Sequence, residues 1–238
     1  MNKKGFTLIE ILAVIVIIGI VSSIGIVAIS GNIERARKSD FTALVRTYAE
    51  AARSMKGSDL LGYEPKEGEA VIVPCFQVKG VEVQNGKKTA YGDIIGELCY
   101  VMITKEGGKN KYYVTLVDES GHAMIGVDYN NIDDKLVKSD NEGVSSLQPI
   151  DYPLASYAVS LNDKTYTIKR MRVKFKADDD TIITGYFAND GSANQANANV
   201  HGQISNFDQT YNAKKVTYNS VEYQIDETDI LYIVVTSN

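Results

Sequence analysis

K-K-G-F-T-L-I-E at residues 3–10 runs directly into ILAVIVIIGIVSSIGIVAI at 11–29, and residues 11–33 carry no charge. Nineteen residues of α-helix rise roughly 28 Å, about the hydrocarbon thickness of a bilayer. The stretch is therefore long enough to span a membrane. Lys3 and Lys4 precede it and are expected to stay on the cytoplasmic side, with everything after residue 30 outside. A cleaved secretory signal fits poorly. Its apolar region is usually 7–15 residues long and ends at a small-residue site, whereas here no A-x-A follows and the helical period continues. A plain membrane anchor fits poorly too, because Glu10 places a carboxylate at the edge of the apolar run. Ionisable groups in such places tend to be paired and functional.

The basic pair, glycine, aromatic, glutamate and apolar span together resemble the class III leader of type IV pilins and pilin-like proteins. The likeness is close over residues 1–30 and loose to about residue 56, and it does not reach the rest of the chain. It implies a leader at 1–5, cut by a membrane prepilin peptidase between Gly5 and Phe6, and N-methylation of the new Phe6 amine by the same enzyme. It also implies an assembly role for Phe6 and Glu10. A Glu10 carboxylate moving from lipid into a filament needs a counter-charge, and the Phe6 amine of a neighbouring subunit is the natural candidate. Gly19 falls where many pilins carry a helix glycine. Many have a proline at the position of Val27, which this chain lacks. Gly19, Ser22, Ser23 and Gly25 could loosen the helix instead.

Outward from this segment the composition changes. The chain has 238 residues and a net charge of −5. Residues 1–56 hold eight Lys/Arg against four Asp/Glu, while 57–238 hold the other 17 cations and 26 acids. A basic, apolar arm is thus joined to an acidic, Tyr-rich body, the layout of an anchored protein with an external head. An acidic body argues against a dedicated nucleic-acid binder. The two cysteines and two histidines are too few for a four-cysteine zinc site or a His-rich metal centre.

The arm continues beyond residue 30. Phe41, Leu44, Val45, Tyr48, Ala51, Ala52 and Met55 recur on one face of a 3.6-residue period. Arg35, Arg37, Lys38, Arg46, Arg53 and Lys56 fall mostly elsewhere, and Gly57 is a stop signal. The expected fold is α+β. One long helix, transmembrane over 6–30 and amphipathic over 31–56, packs on an antiparallel β-sheet head. A first meander is expected at 57–138, a polar linker-like segment at 139–153, and an added β-rich sub-region at 154–238. Strand patterns occur at 70–78, 98–104, 112–118 and 122–128, with Pro74 marking an edge or a bend. Further runs lie at 152–161, 165–175, 181–187, 215–225 (a hairpin around Asn219–Ser220) and 229–236. Residues 188–213, rich in Asn, Gln, Ala and Gly, read as a long exposed loop.

Candidate chemistry in the head is sparse. Cys75 and Cys99 either form a disulfide, which an outward-facing domain permits, or serve as two buried thiols. The related pilins more often carry theirs nearer the C-terminus. On a strand, Met171, Val173 and Phe175 would face the core. Arg170, Arg172, Lys174 and Lys176 would then form a cationic row on the other face, either a binding site for an anion or partner or a solvated surface. Asp178, Asp179 and Asp180 lack EF-hand spacing, and His122 and His201 lack zinc spacing. No Walker loop, G-x-S-x-G, Rossmann fingerprint or H-E-x-x-H occurs. No metal or cofactor and no catalysis are expected.

The resemblance implies a structural subunit of a type IV pilus or pilus-like filament, supporting adhesion, motility or surface attachment. Its implied partners are other pilin subunits, the prepilin peptidase/methyltransferase, an inner-membrane assembly platform and, before assembly, membrane lipid. The protein is expected in the cell membrane first and in an extracellular filament afterwards. The alternatives are a pseudopilin of a type II secretion or DNA-uptake system and a membrane-anchored adhesin that never polymerises.

Overall fold

The chain was analysed as a computed structural model, which describes residues 7–58, 61–81, 88–150, 158–177, 182–188, 195–197, 202–203, 215–218, 221–224 and 230–237. The side chains of 22–28 and 175–229 lie outside that description. A proline-free run of helical period becomes one continuous helix, α1, Leu8–Gly57. Its 50 residues rise roughly 75 Å. The helix begins at Leu8 because Thr7 caps it. It ends at Gly57, where the Ser58 N–H donates to the Ser54 carbonyl at 3.0 Å.

The two halves of α1 differ as their sequences do. From Leu8 to Val21 every side chain is exposed. From Phe41 onward one face is buried, comprising Phe41, Val45, Tyr48, Ala51, Ala52 and Met55, with Leu44 half-buried. Ala49 and Thr42 join them. The Thr42 hydroxyl is satisfied by donating back to the Lys38 carbonyl at 2.8 Å. Among the described residues no helix is long and apolar enough to cross a membrane. The described side chains of the apolar run stop at Val21 and resume at Ile29.

The head opens with an antiparallel meander of β1 (Glu69–Pro74), β2 (Tyr100–Glu106), β3 (Lys109–Val117) and β4 (Ala123–Asp128). After it come β5 (Ala158–Leu161), β6 (Lys164–Ala177), β7 (Ile182–Ala188), β8 (Gln195–Asn197) and β9 (Gly202–Gln203). Then follow β10 (Lys215–Tyr218), β11 (Val221–Gln224) and β12 (Ile230–Ser237). All the described strands belong to one sheet, with the order β4-β3-β2-β1-β12-β6-β7-β8-β9. β5 and β11 pair with β6, and β10 pairs with β11. The last strand therefore lies between the first meander and the later strands and makes the sheet continuous.

Of the two readings of Pro74 the bend holds and the edge does not, since β1 lies between β2 and β12. Pro74 is its last residue, and the missing N–H falls where the chain leaves the ladder for a short 3₁₀ turn at Cys75–Gln77. The stretch at 188–213 is not wholly loop, because β8 and β9 extend the sheet through it. The hairpin at 215–225 has the expected register, with Tyr218 opposite Val221, while its turn residues lie outside the described set.

The centre of the sheet is buried on both faces, which explains why AVIV and YVMI read as unbroken apolar runs. One face carries Val71, Val73, Val101, Ile103, Val114 and Leu116 against the buried side of α1. The other carries Ile72, Met102, Met171, Val173, Ile233 and Val235, covered by Val159, Leu161 and Ile150. Residues 139–150 form successive turns held to this body. The Asn141 N–H donates to Gly121 O at 3.0 Å and the Ile150 N–H to Glu97 O at 3.0 Å.

Candidate functional site

Gly5 and Phe6 lie outside the described residues. The next turn is well defined. The Thr7 N–H and hydroxyl both donate to Glu10 Oε2, at 2.7 and 2.8 Å, and the Glu10 N–H returns to Thr7 Oγ1 at 3.3 Å. This is a reciprocal capping box, which satisfies two of the helix's orphan donors and places a carboxylate at the positive end of its dipole. The spacing T-L-I-E is the S/T-x-x-E signature, so Thr7 was readable from sequence but was overlooked beside Glu10. Leu8 and Ile9 are the most exposed of the large apolar side chains among the described residues, at 82% and 74%. The capped carboxylate thus sits at the head of an uncovered apolar helix.

The lower half of the helix is tied to the head by polar contacts around its apolar seam. The Tyr91 hydroxyl donates to Glu34 at 2.9 Å, and its ring stacks on His122 with centroids 3.6 Å apart. Burial first, then the Glu34 carboxylate, pushes the Tyr91 phenol well above its ordinary range. Arg46 donates to the Ile132 carbonyl at 3.1 Å, and Tyr129 donates to Glu50 at 3.3 Å. At the end of the helix, Glu64 accepts from Lys105 at 2.8 Å and from Lys56 at 3.1 Å, and these two ammonium groups pull its carboxyl down to about 2.

Cys75 and Cys99 are joined by a disulfide, with Cα atoms 5.3 Å apart. It lies where β1 ends and β2 begins, and the Cys75 N–H also donates to the Cys99 carbonyl at 2.9 Å. Both cysteines are buried.

Period two on β6 turns Met171 and Val173 into the core face away from the helix. Arg170, Arg172 and Lys174 therefore point to the helix side, beyond the end of α1. There they line a groove of about 560 Å³ with Lys79, Tyr63 and Tyr232, over a floor that includes Met55 and Leu61. The Lys176 side chain lies outside the described residues; its backbone pairs with Ile182 and Gln224. Lys79 and Tyr63 come from connecting segments, so sequence periodicity gave no sign of them.

Tyr63 is fixed from behind. Its hydroxyl donates to Glu69 at 2.9 Å, and burial, then Glu69, pushes the phenol up to about 12. Burial would raise Glu69 itself. Lys169 at 2.8 Å, the Lys66 N–H at 3.0 Å and Tyr63 outweigh that effect and hold it below the usual carboxylate range. His122 serves the β3–β4 turn, where its N–H donates to Asp118 at 3.0 Å. His201 and Asp178, Asp179 and Asp180 lie outside the described residues. Among the described residues, no group of three His, Cys, Asp or Glu side chains could hold a metal ion.

The basic pair, glycine and aromatic before an apolar run, a capped Glu10 and a long helix joined to a sheet resemble the features of type IV pilin-like and pseudopilin precursors. Residues 1–26 match the family model of the prokaryotic N-terminal methylation motif, the class III signal peptide of type IV pilins. That motif implies processing by prepilin peptidase and assembly with other pilin subunits. No curated protein and no solved structure matches the chain.

Proposed function

We propose that the chain is a filament subunit, cut between Gly5 and Phe6, methylated at Phe6 and polymerised through the first half of α1. Before assembly that half lies in the membrane, with the head outside. During assembly an inner-membrane platform moves it from lipid into a bundle of sister helices. Glu10 sets the register by meeting the Phe6 amine of a neighbour. The head carries no catalysis. Its work is display, in adhesion, motility or surface attachment.

The single observation that supports this most is the division of one continuous helix. The methylation motif runs into a helix whose described side chains from Leu8 to Val21 are all exposed, and the same helix ends buried in the head. Lipid or other helices are the two environments that suit such a half-helix. The experiment has two arms. Mass spectrometry of the mature N-terminus should find methylated Phe6, and a mature chain starting at Met1 or beyond residue 30 would refute the reading. Glu10→Ala should insert in the membrane yet stay out of filaments, whereas unchanged incorporation would point to a plain anchor.

A further inference from the structure

We infer that Arg35, Arg37 and Lys38 form a collar on α1 that binds the phosphate groups of membrane phospholipids on the head's side of the bilayer. The inference rests on the membrane placement of the first half of α1 given under Proposed function, and adds to it a site and its chemistry. Because α1 is unbroken from Leu8 to Gly57, positions along it are set by the helical rise. The uncharged run 11–33 rises roughly 34 Å, slightly more than the roughly 30 Å of a hydrocarbon core. Ile29 and Ile33, near its end, are exposed, and burial against the head starts at Phe41. From Ile33 to Phe41 is roughly 12 Å, and a headgroup layer is roughly 5–8 Å thick. Arg35, Arg37 and Lys38 follow Ile33 by roughly 3, 6 and 8 Å. They therefore fall at headgroup depth, between the last exposed large apolar side chain of the helix and the head.

The arrangement around the axis selects the partner. At about 100° per residue, Arg35 and Arg37 lie roughly 160° apart, with Lys38 between them. A neighbouring protein surface meets one side of a helix, whereas a headgroup layer surrounds it. Guanidinium forks match phosphate oxygens bidentately, and the ammonium adds a point charge.

The local contacts leave this chemistry in place. Arg35 is exposed. The Arg37 guanidinium lies 5.9 Å from the centroid of the Tyr91 ring, a contact that orients it without neutralising it. Lys38 Nζ is 4.0 Å from Glu34, which also accepts from the Tyr91 hydroxyl at 2.9 Å. With Glu34 and Asp40 counted, residues 34–40 keep a balance of +1. On the described turns beside Tyr91, Asp93 is paired with Lys88 at 3.0 Å and Glu119 is exposed, so the attraction for phosphate comes from the helix. Cations are normally biased to the cytoplasmic flank of a span, where this chain has Lys3 and Lys4. Three on the opposite flank oppose that bias, and phosphate contacts offset the cost.

The test uses the full chain, isotopically labelled at arginine Cζ, in vesicles of phosphatidylethanolamine and phosphatidylglycerol. Resistance to alkaline carbonate extraction reports insertion. Carbon–phosphorus dipolar dephasing in solid-state NMR reports contact between guanidinium and lipid phosphate. Wild type should resist extraction and show dephasing of up to about a third of the arginine signal, two residues of six. Arg35→Gln with Arg37→Gln should still resist extraction and lose the dephasing. If that variant melts early, Arg35→Gln alone, on an exposed side chain, should lose about half of it. Arg53→Gln, roughly 27 Å further along the helix, should leave it unchanged. In non-ionic detergent with inorganic phosphate the dephasing should be absent. A chain that extracts would overturn the membrane placement and the collar with it. An inserted chain whose dephasing is absent, survives both substitutions, or appears equally with free phosphate would overturn the collar alone.

Discussion

Removing the Cys75–Cys99 bridge should destabilise the head by about 3.5 kcal/mol. The two residues are separated by 24 positions. In the chain-entropy account a closed loop of that length lowers the entropy of the unfolded chain by about 12 cal/mol/K, hence about 3.5 kcal/mol at 25 °C. The native side of the balance should change little when both cysteines become alanine. The Cys75 N–H to Cys99 carbonyl bond is a backbone contact, and the β1–β2 register continues from Pro74 opposite Tyr100. Unfolding entropies of about 2.1 cal/mol/K per residue over the 182 residues of 57–238 turn this into a fall in Tm of about 9 °C.

The assay is urea and thermal unfolding of the full chain in non-ionic detergent. Tyrosine emission is the probe, since the protein has 15 tyrosines and no tryptophan. Wild type with reductant should approach the Cys75→Ala/Cys99→Ala variant, and wild type denatured without reductant should show no titratable thiol. A double variant within about 0.5 kcal/mol of wild type would refute the loop-entropy argument, meaning that the segment is already restrained in the unfolded ensemble. Two free thiols in protein taken from the outer side of the membrane would refute the bridge itself.

Phe41→Ala should cost about 3–5 kcal/mol, because a fully buried ring is lost from the helix–sheet seam beside Tyr91, whose ring centroid is 6.3 Å away; a urea midpoint unchanged from wild type would sink this. Glu69 is held below its ordinary range in the folded protein, so it stabilises above the unfolded carboxylate range, and that stability is lost as pH falls through its lower folded value; Glu69→Gln should therefore flatten the acid limb of a stability–pH profile below the ordinary carboxylate range, and an unaltered limb would count against the Glu69–Lys169 pair.

Much of this architecture could be read locally, and the rest could not for definite reasons. The seven-residue apolar face of 41–55 predicts the buried side of α1 because a 3.6-residue period can be served by only one geometry. β1, β2 and the second half of β3 stand out because burial on both faces makes their apolar runs continuous. The place of β12 between β1 and β6 is different. Ile72 pairs with Ile233 across 161 residues, and no local pattern records which of several apolar strands will be its neighbour. β8 and β9 are not legible because their residues lack apolar alternation, and only pairing, β8 with β7 and β9 with β8, draws them into the sheet. At the sites, Glu10 and the β6 cations were legible as charges out of place. Tyr63 and Lys79 were not, because a loop's position is set by the elements it joins.

The two ends of α1 are physically independent, and that separates the questions the protein raises. Glu10 and Met55 lie 45 residues apart on one helix, roughly 68 Å. Salt at physiological strength screens charge over about 8 Å, so a carboxylate at one end exerts no useful field on a cationic groove at the other. Mechanical coupling is confined as well, since the polar contacts that tie helix to head run from the Glu34–Tyr91 bond to the Lys56–Glu64 pair, and the described side chains before Glu34 are exposed. A change at Glu10 should therefore alter incorporation without altering the unfolding midpoint of the head. The same separation leaves the groove at the buried end of the helix, away from the half that sister subunits would cover. A fall in that midpoint on changing Glu10 would require the two ends to communicate through the helix.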